Sequence, residues 1–205
     1  MRRTASDLRA TCHAAVLAEA VDSGVAGLTV EGVARRAAVA KTSIYRHWRT
    51  VDDLLLEALI EAYPVEVPTP DGGDLRADLL RSLDLLADWL AGPNAVVVAG
   101  ILTERARRPD LVDALYRQVF EVHGGRFTRT VMDHYAALGQ IDARLVTAVV
   151  ADIGEALVIK HQIDTGKIPG ADVRAAIVDQ AILPALGRPI SLDSTKGTGD
   201  DPDTR

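Results

Sequence analysis

The chain has 205 residues, 48% hydrophobic and 25% charged, and a formal net charge of −6. That balance excludes a disordered chain and leaves length for one large or two small domains with a real core. The single cysteine, Cys12, excludes an internal disulfide framework, and the longest uncharged run, Trp89 to Thr103, is broken by Gly92, Pro93 and Asn94 and cannot span a bilayer as one helix.

The first predicted helix opens at Ser6. Leu8, Cys12, Ala15, Val16 and Ala20 keep helical spacing, and Gly24 and Gly27 close it. Its apolar run is interrupted by His13 and bracketed by Asp7 and Glu19, too short and polar for a signal peptide, so the expected location is cytoplasmic. In the second helix Val30, Val33, Ala34 and Ala37 share one face and Arg35 and Arg36 the other, with Thr29 placed to cap the first free amides. A tight turn leads to a third short helix, in which Ala40, Ile44 and Trp48 are expected inside. Its outer face carries Lys41, Thr42, Tyr45 and Arg46. A short helix with an apolar anchor and a basic, hydroxylic, aromatic outer face suits a DNA groove. Arg and Lys take phosphates or guanine edges, Ser and Thr take phosphates or bases, and Tyr takes phosphate.

Charge is divided along the chain. Residues 1–50 hold eight Lys and Arg against four Asp and Glu, a net +4, whereas residues 51–205 hold fifteen against twenty-five, a net −10. A basic head on an acidic body is the electrostatic footprint of a nucleic-acid-binding module.

The stretch from Gly27 to His47 resembles the helix-turn-helix of the TetR family of transcriptional regulators. Gly27 to Ala37, Val39, Lys41, Ser43, Ile44, Tyr45 and His47 match the family's pattern. Three positions depart from it: Ala38 stands where the family has Gly, Ala40 where it has Ser, and Val51 where it commonly has Lys, with Arg49 nearby to replace the lost charge. The resemblance implies that Lys41, Thr42, Ser43 and Arg46 read bases and that Thr29, Tyr45, His47 and Arg49 hold phosphates of double-stranded operator DNA. It also implies a repressor released by a small organic effector bound among the body helices, with an activator left open. Arg2, Arg3 and Arg9 either add phosphate contacts or form an ordinary solvated surface.

Thr50-Val51-Asp52-Asp53 reads as a capping box opening a fourth helix, residues 51–63, whose two acids suit the positive end of the helix dipole. Pro64, Pro68, Pro70, Gly72 and Gly73 then form a loop. The fourth helix is expected to be the only rigid connector between head and body. Beyond the loop, Leu75, Leu79, Leu83, Leu86 and Leu90 form one helical stripe; further helices are expected at about 94–107, 109–138, 142–166 and 171–186. The fold class is therefore all-α, about nine helices. A helix-turn-helix domain over 1–50 precedes a ligand-binding and dimerisation bundle over 51–190, and 191–205 form a disordered polar tail.

Two stripes in the body are informative. If 109–138 is one helix, Tyr116, Phe120, His123, Phe127 and His134 fall within about 40° of one line. They form either a core seam or one wall of a ligand pocket, to which Trp89, Arg105, Tyr135 and Glu155 are further candidates. The helix over 142–166 is apolar on almost every face, which requires burial on two sides. Leu145, Val149, Ile153 and Ala156, with Val173, Ile177 and Ala181 from the last helix, are expected to form a homodimer seam.

Enzymatic chemistry finds no support. The five histidines show no metal-ligand spacing, and His123 and His134 would stand roughly 16 Å apart on one helix. No G-x-S-x-G and no Gly-rich phosphate loop is present. The expectation is no catalytic residue, no metal, no cofactor and no membrane partner.

Overall fold

A computed structural model describes residues 5–63, 73–122 and 127–188, and among these it holds ten helices and no strand. The first four are α1 (Ala5–Ser23), α2 (Val30–Ala37), α3 (Lys41–Tyr45) and α4 (Val51–Ala62). The body contains α5 (Leu75–Ala91), α6 (Pro93–Thr103), α7 (Pro109–Leu115, running on as a π turn over Tyr116–Phe120), α8 (Phe127–Ala137) and α9 (Ala148–Thr165). It ends in α10, which comprises Ala171–Ile177, a π turn over Val178–Ile182 and Leu183–Ala185. Pro184 explains that turn: it has no N–H for the ladder one turn back, and the wider register precedes it.

Local signals place the helix ends. The Thr29 hydroxyl accepts from the Gly32 N–H, and Thr50 and Asp53 exchange both bonds of a capping box. Pro93 and Pro109 occupy first turns, where a missing N–H costs nothing. Gly92 separates α5 from α6, and the two axes are bent by 81°. Among the described residues no single helix is long and apolar enough to cross a membrane.

Several expected elements are corrected. The single helix over 109–138 is two: the π turn ends at Phe120, α8 starts at Phe127, and the two pack on different neighbours. The shared line of its aromatics, which required unbroken 3.6-residue winding, therefore does not exist. The helix expected from Asp142 begins at Ala148, because Asp142 caps a short 3-10 turn while Thr147 caps the helix proper. Ala40 is exposed rather than inward, since it is the extended residue before α3; Ile44 and Trp48 are buried as expected. The proline-rich loop at 64–72, His123 and the tail lie outside the described residues.

Two hydrophobic cores result. One joins α1 to α4 with α6 and α7, so Cys12, Val33, Ile44 and Leu55 share a core with Val97, Ile101 and Leu115. The other packs α5, α8, α9 and α10 around Leu83, Met132, Val158 and Ile182. Trp89 touches both. The fourth helix is consequently not the only bridge between head and body. Gly100 of α6 lies against Val25 so closely that a Cβ there would stand 3.0 Å from the valine methyl.

Candidate DNA-reading head and body cavity

The head is held by partly buried polar contacts. Trp48 Nε1 donates to Glu57 Oε2 at 2.9 Å, and His13 lies between two carboxylates, Nδ1 2.8 Å from Glu61 and Nε2 3.2 Å from Glu57. Donor atoms of His13, Glu57 and Glu61 lie within 4.8 Å of one another, a grouping that spacing within one helix could not reveal. Glu19 is buried beneath α2, receives Arg36 at 2.9 Å and lies 3.6 Å from Arg35. Gly32 leaves room for it: a Cβ there would meet the Glu19 carboxylate, and the glutamate side chain would have to shift.

The outer face of α2 and α3 exposes Thr29, Lys41, Thr42, Tyr45, Arg46, His47 and Arg49, with Ser43 half-buried. Tyr45 is 55% exposed although aromatic. Lys41 is engaged by Glu31 at 2.5 Å, which raises the lysine's pKa and lowers that of the glutamate, in both cases chiefly through their hydrogen bond. Arg46 and Arg49 are exposed and enter no ion pair among the described residues. The α2–α3 turn bends through Ala38, the only non-glycine residue with positive φ among the described residues, at φ 53° and ψ 49°.

A cavity of about 830 Å³ lies in the body. Trp89, Tyr116, Phe120, Phe127 and Glu155 all line it, brought from four helices. Three expected pocket residues stand elsewhere. Arg105 does not line the cavity, although its guanidinium lies 5.7 Å from the Tyr116 ring centroid, and it pairs with Asp113 at 3.6 Å. His134 is on α8, edge-on to Tyr135, with Nε2 buried and unbonded among the described residues. Tyr135 is a core residue whose hydroxyl donates to Asp78 at 2.6 Å. Tyr63, at the end of α4, was not anticipated: its ring lies 5.4 Å from Trp89 and 5.5 Å from Phe120. Its position just before the prolines carried no signal that the chain folds back onto α5 and α7.

The expected dimer residues divide. Val149 is 77% exposed and Ala156 is exposed; Leu145, Ile153, Val173 and Ala181 are half-buried. Ile177 is buried in its own chain and is corrected to the monomer core, because the α10 face that carries it packs inward with Val178 and Ile182.

Comparison with known proteins agrees with this architecture. The family model described as bacterial regulatory proteins, tetR family, matches residues 14–58, and the one described as tetracyclin repressor-like, C-terminal domain, matches residues 69–181. An uncharacterized HTH-type transcriptional regulator of Mycobacterium tuberculosis is 31% identical over 167 residues, 82% of each chain. A TetR-family regulator structure from Mesorhizobium loti superposes with a TM-score of 0.63 at 17% identity, covering 91% of this chain and 98% of that one. A transcriptional regulator from Rhodococcus sp. Rha1 gives 0.63 at 21% identity, covering 87% and 96%. With its helix-turn-helix head and its helical body both matched, the chain belongs to the TetR family of DNA-binding transcriptional regulators and is not an enzyme.

Proposed function

We propose that this regulator is a cytoplasmic homodimeric repressor, released from a near-palindromic operator by a small organic effector bound in the body cavity. Residues 1–50 read the DNA; residues 51–190 hold the effector and the dimer contact. The observation that carries the reading is the course of α4. Its first turn is capped beside Trp48, its middle accepts the Trp48 indole through Glu57, and its end places Tyr63 against the cavity rings of Trp89 and Phe120. Twelve helical residues, about 18 Å, thus join the head to the cavity as one rigid rod. A second link, the ion pair of Asp52 with Arg108, ties the start of α4 to the start of α7.

An effector that fits the cavity in one disposition of α4 better than in another shifts the population toward it. In a two-fold dimer that shift changes the spacing of two recognition helices entering successive major grooves. Dimerisation is supported by the apolar side chains that α9 leaves exposed, Val149 and Ile163 at 77% and 73% and Leu157 at 40%. The DNA contacts proposed are those of Thr29, Lys41, Thr42, Ser43, Tyr45, Arg46, His47 and Arg49.

The test is fluorescence anisotropy of the purified protein on the DNA upstream of its own gene, over a salt series and then with a compound library. The expected result is sequence-preferring binding whose logarithm falls steeply with log salt, and release by some compound. Equal affinity for random DNA, or a monomer in sedimentation, overturns the reading.

A further inference from the structure

We infer that His13, Glu57 and Glu61 form a binding site for one divalent transition-metal ion of the zinc type, seated between α1 and α4. The inference is independent of the body cavity and its effector. His13 comes from α1, and Glu57 and Glu61 stand four residues apart on one face of α4. One ligand atom from each of the three lies within 4.8 Å of the others.

The surroundings hold these donors in place. His13 is 5% exposed, and both of its ring nitrogens face carboxylates from the other helix. Nε2 is 3.2 Å from Glu57 Oε1, and Nδ1 is 2.8 Å from Glu61 Oε2. The Trp48 indole N–H donates to Glu57 Oε2, which turns the other oxygen, Oε1, toward His13. An outer donor of this kind orients a metal-ligating carboxylate. Glu61 is the mobile arm. Its side chain is 62% exposed, and His13 is its one partner among the described residues.

Zinc takes an imidazole nitrogen at about 2.0–2.1 Å and carboxylate oxygens at about 2.0–2.2 Å, so tetrahedral ligands stand roughly 3.3 Å apart. The separation of Nε2 and Oε1 already matches that edge. An ion touches a single ring nitrogen, so Glu61 reaches it by turning away from Nδ1, and water completes the shell. One described cation competes. Arg9 Nη2 lies 3.4 Å from Glu57 Oε1, with its guanidinium over the Trp48 ring and its side chain 50% exposed. A dication at Oε1 displaces it toward solvent. The imidazole decides the class of ion: magnesium and calcium take oxygen ligands, whereas first-row transition dications accept imidazole with carboxylate.

The experiment strips the untagged full chain with a chelator and titrates it by calorimetry with Zn²⁺, Co²⁺ and Mg²⁺. The expected result is one Zn²⁺ or Co²⁺ per chain at micromolar affinity or tighter, and no measurable Mg²⁺. Co²⁺ should also quench part of the tryptophan emission, because Trp48 stands beside the ion. His13→Gln should abolish binding. Glu61→Gln, at an exposed side chain that keeps the fold, should weaken it about tenfold or more. Arg9→Gln removes the competitor and should tighten it about two- to fivefold. Absence of Zn²⁺ binding, Mg²⁺ bound as tightly as Zn²⁺, or Zn²⁺ affinity unchanged in Glu61→Gln overturns the site. Should His13→Gln fail to fold, the Glu61→Gln titration alone decides.

Discussion

The indole N–H of Trp48 and the carboxylate of Glu57 form a 2.9 Å hydrogen bond that fastens the end of the helix-turn-helix to the middle of α4. Trp48 is buried, and the same carboxylate group faces His13 and Arg9 from α1. One glutamate therefore joins two parts of the head, α1 and the segment after α3, to the rod leading to the cavity.

Trp48→Phe removes the donor and part of a buried ring. The expected cost is about 2–3 kcal/mol in stability, from a lost hydrogen bond to a charged acceptor plus incomplete repacking. Urea denaturation followed by far-UV circular dichroism measures it; an unchanged midpoint shows that the bond contributes nothing.

Ala38 holds the left-handed conformation that the turn requires, at a cost to any residue with a Cβ. Ala38→Gly relieves that strain and gives back part of the gain as unfolded-chain entropy, so stability should rise by about 0.5–1 kcal/mol. Chemical denaturation decides this, and a lower midpoint contradicts the account.

Glu31 competes with DNA for Lys41. Both side chains are more than half exposed, so the pair adds little to folding. Glu31→Gln should leave the unfolding midpoint within the error of measurement and tighten operator binding roughly two- to fivefold. Weaker binding in anisotropy would show instead that Glu31 positions the lysine.

Arg46, exposed beside Tyr45 and clear of described ion pairs, should weaken operator binding when changed to Gln, and the slope of log affinity against log salt should become shallower by about one. A loss confined to certain operator bases, with the slope unchanged, assigns it to base reading rather than to phosphate.

Asp179 on α10 receives both nitrogens of the Arg76 fork from α5, at 2.6 and 2.8 Å, which lowers its pKa chiefly through that hydrogen bond. A carboxyl depressed in the folded state stabilises above its ordinary value of 3.8, and the contribution disappears as pH falls below that through the folded pKa. The pair is partly exposed, so its worth is below about 1 kcal/mol. Asp179→Asn should flatten the loss of stability between neutral pH and the acid range, read from denaturation midpoints at several pH values. An identical pH profile for both proteins sinks the assignment.

The head was legible because its signals are local. Thr29 and Thr50 cap within three residues of themselves, the α2 apolar face repeats at helical spacing, and Ala38 sits in a turn whose geometry one residue decides. The all-helical class, the family and the basic face of Lys41 to Arg46 follow from contiguous residues. Tertiary structure alone decided the rest. Phe120 and Phe127 reach one cavity from separate helices rather than along one stripe, Tyr63 enters it because α4 ends against α5 and α7, and His13 meets Glu57 and Glu61 across the α1–α4 contact. Periodicity reports which face of a helix is apolar. It is blind to where a helix breaks and to which neighbour it meets, because those depend on packing between residues far apart in the chain.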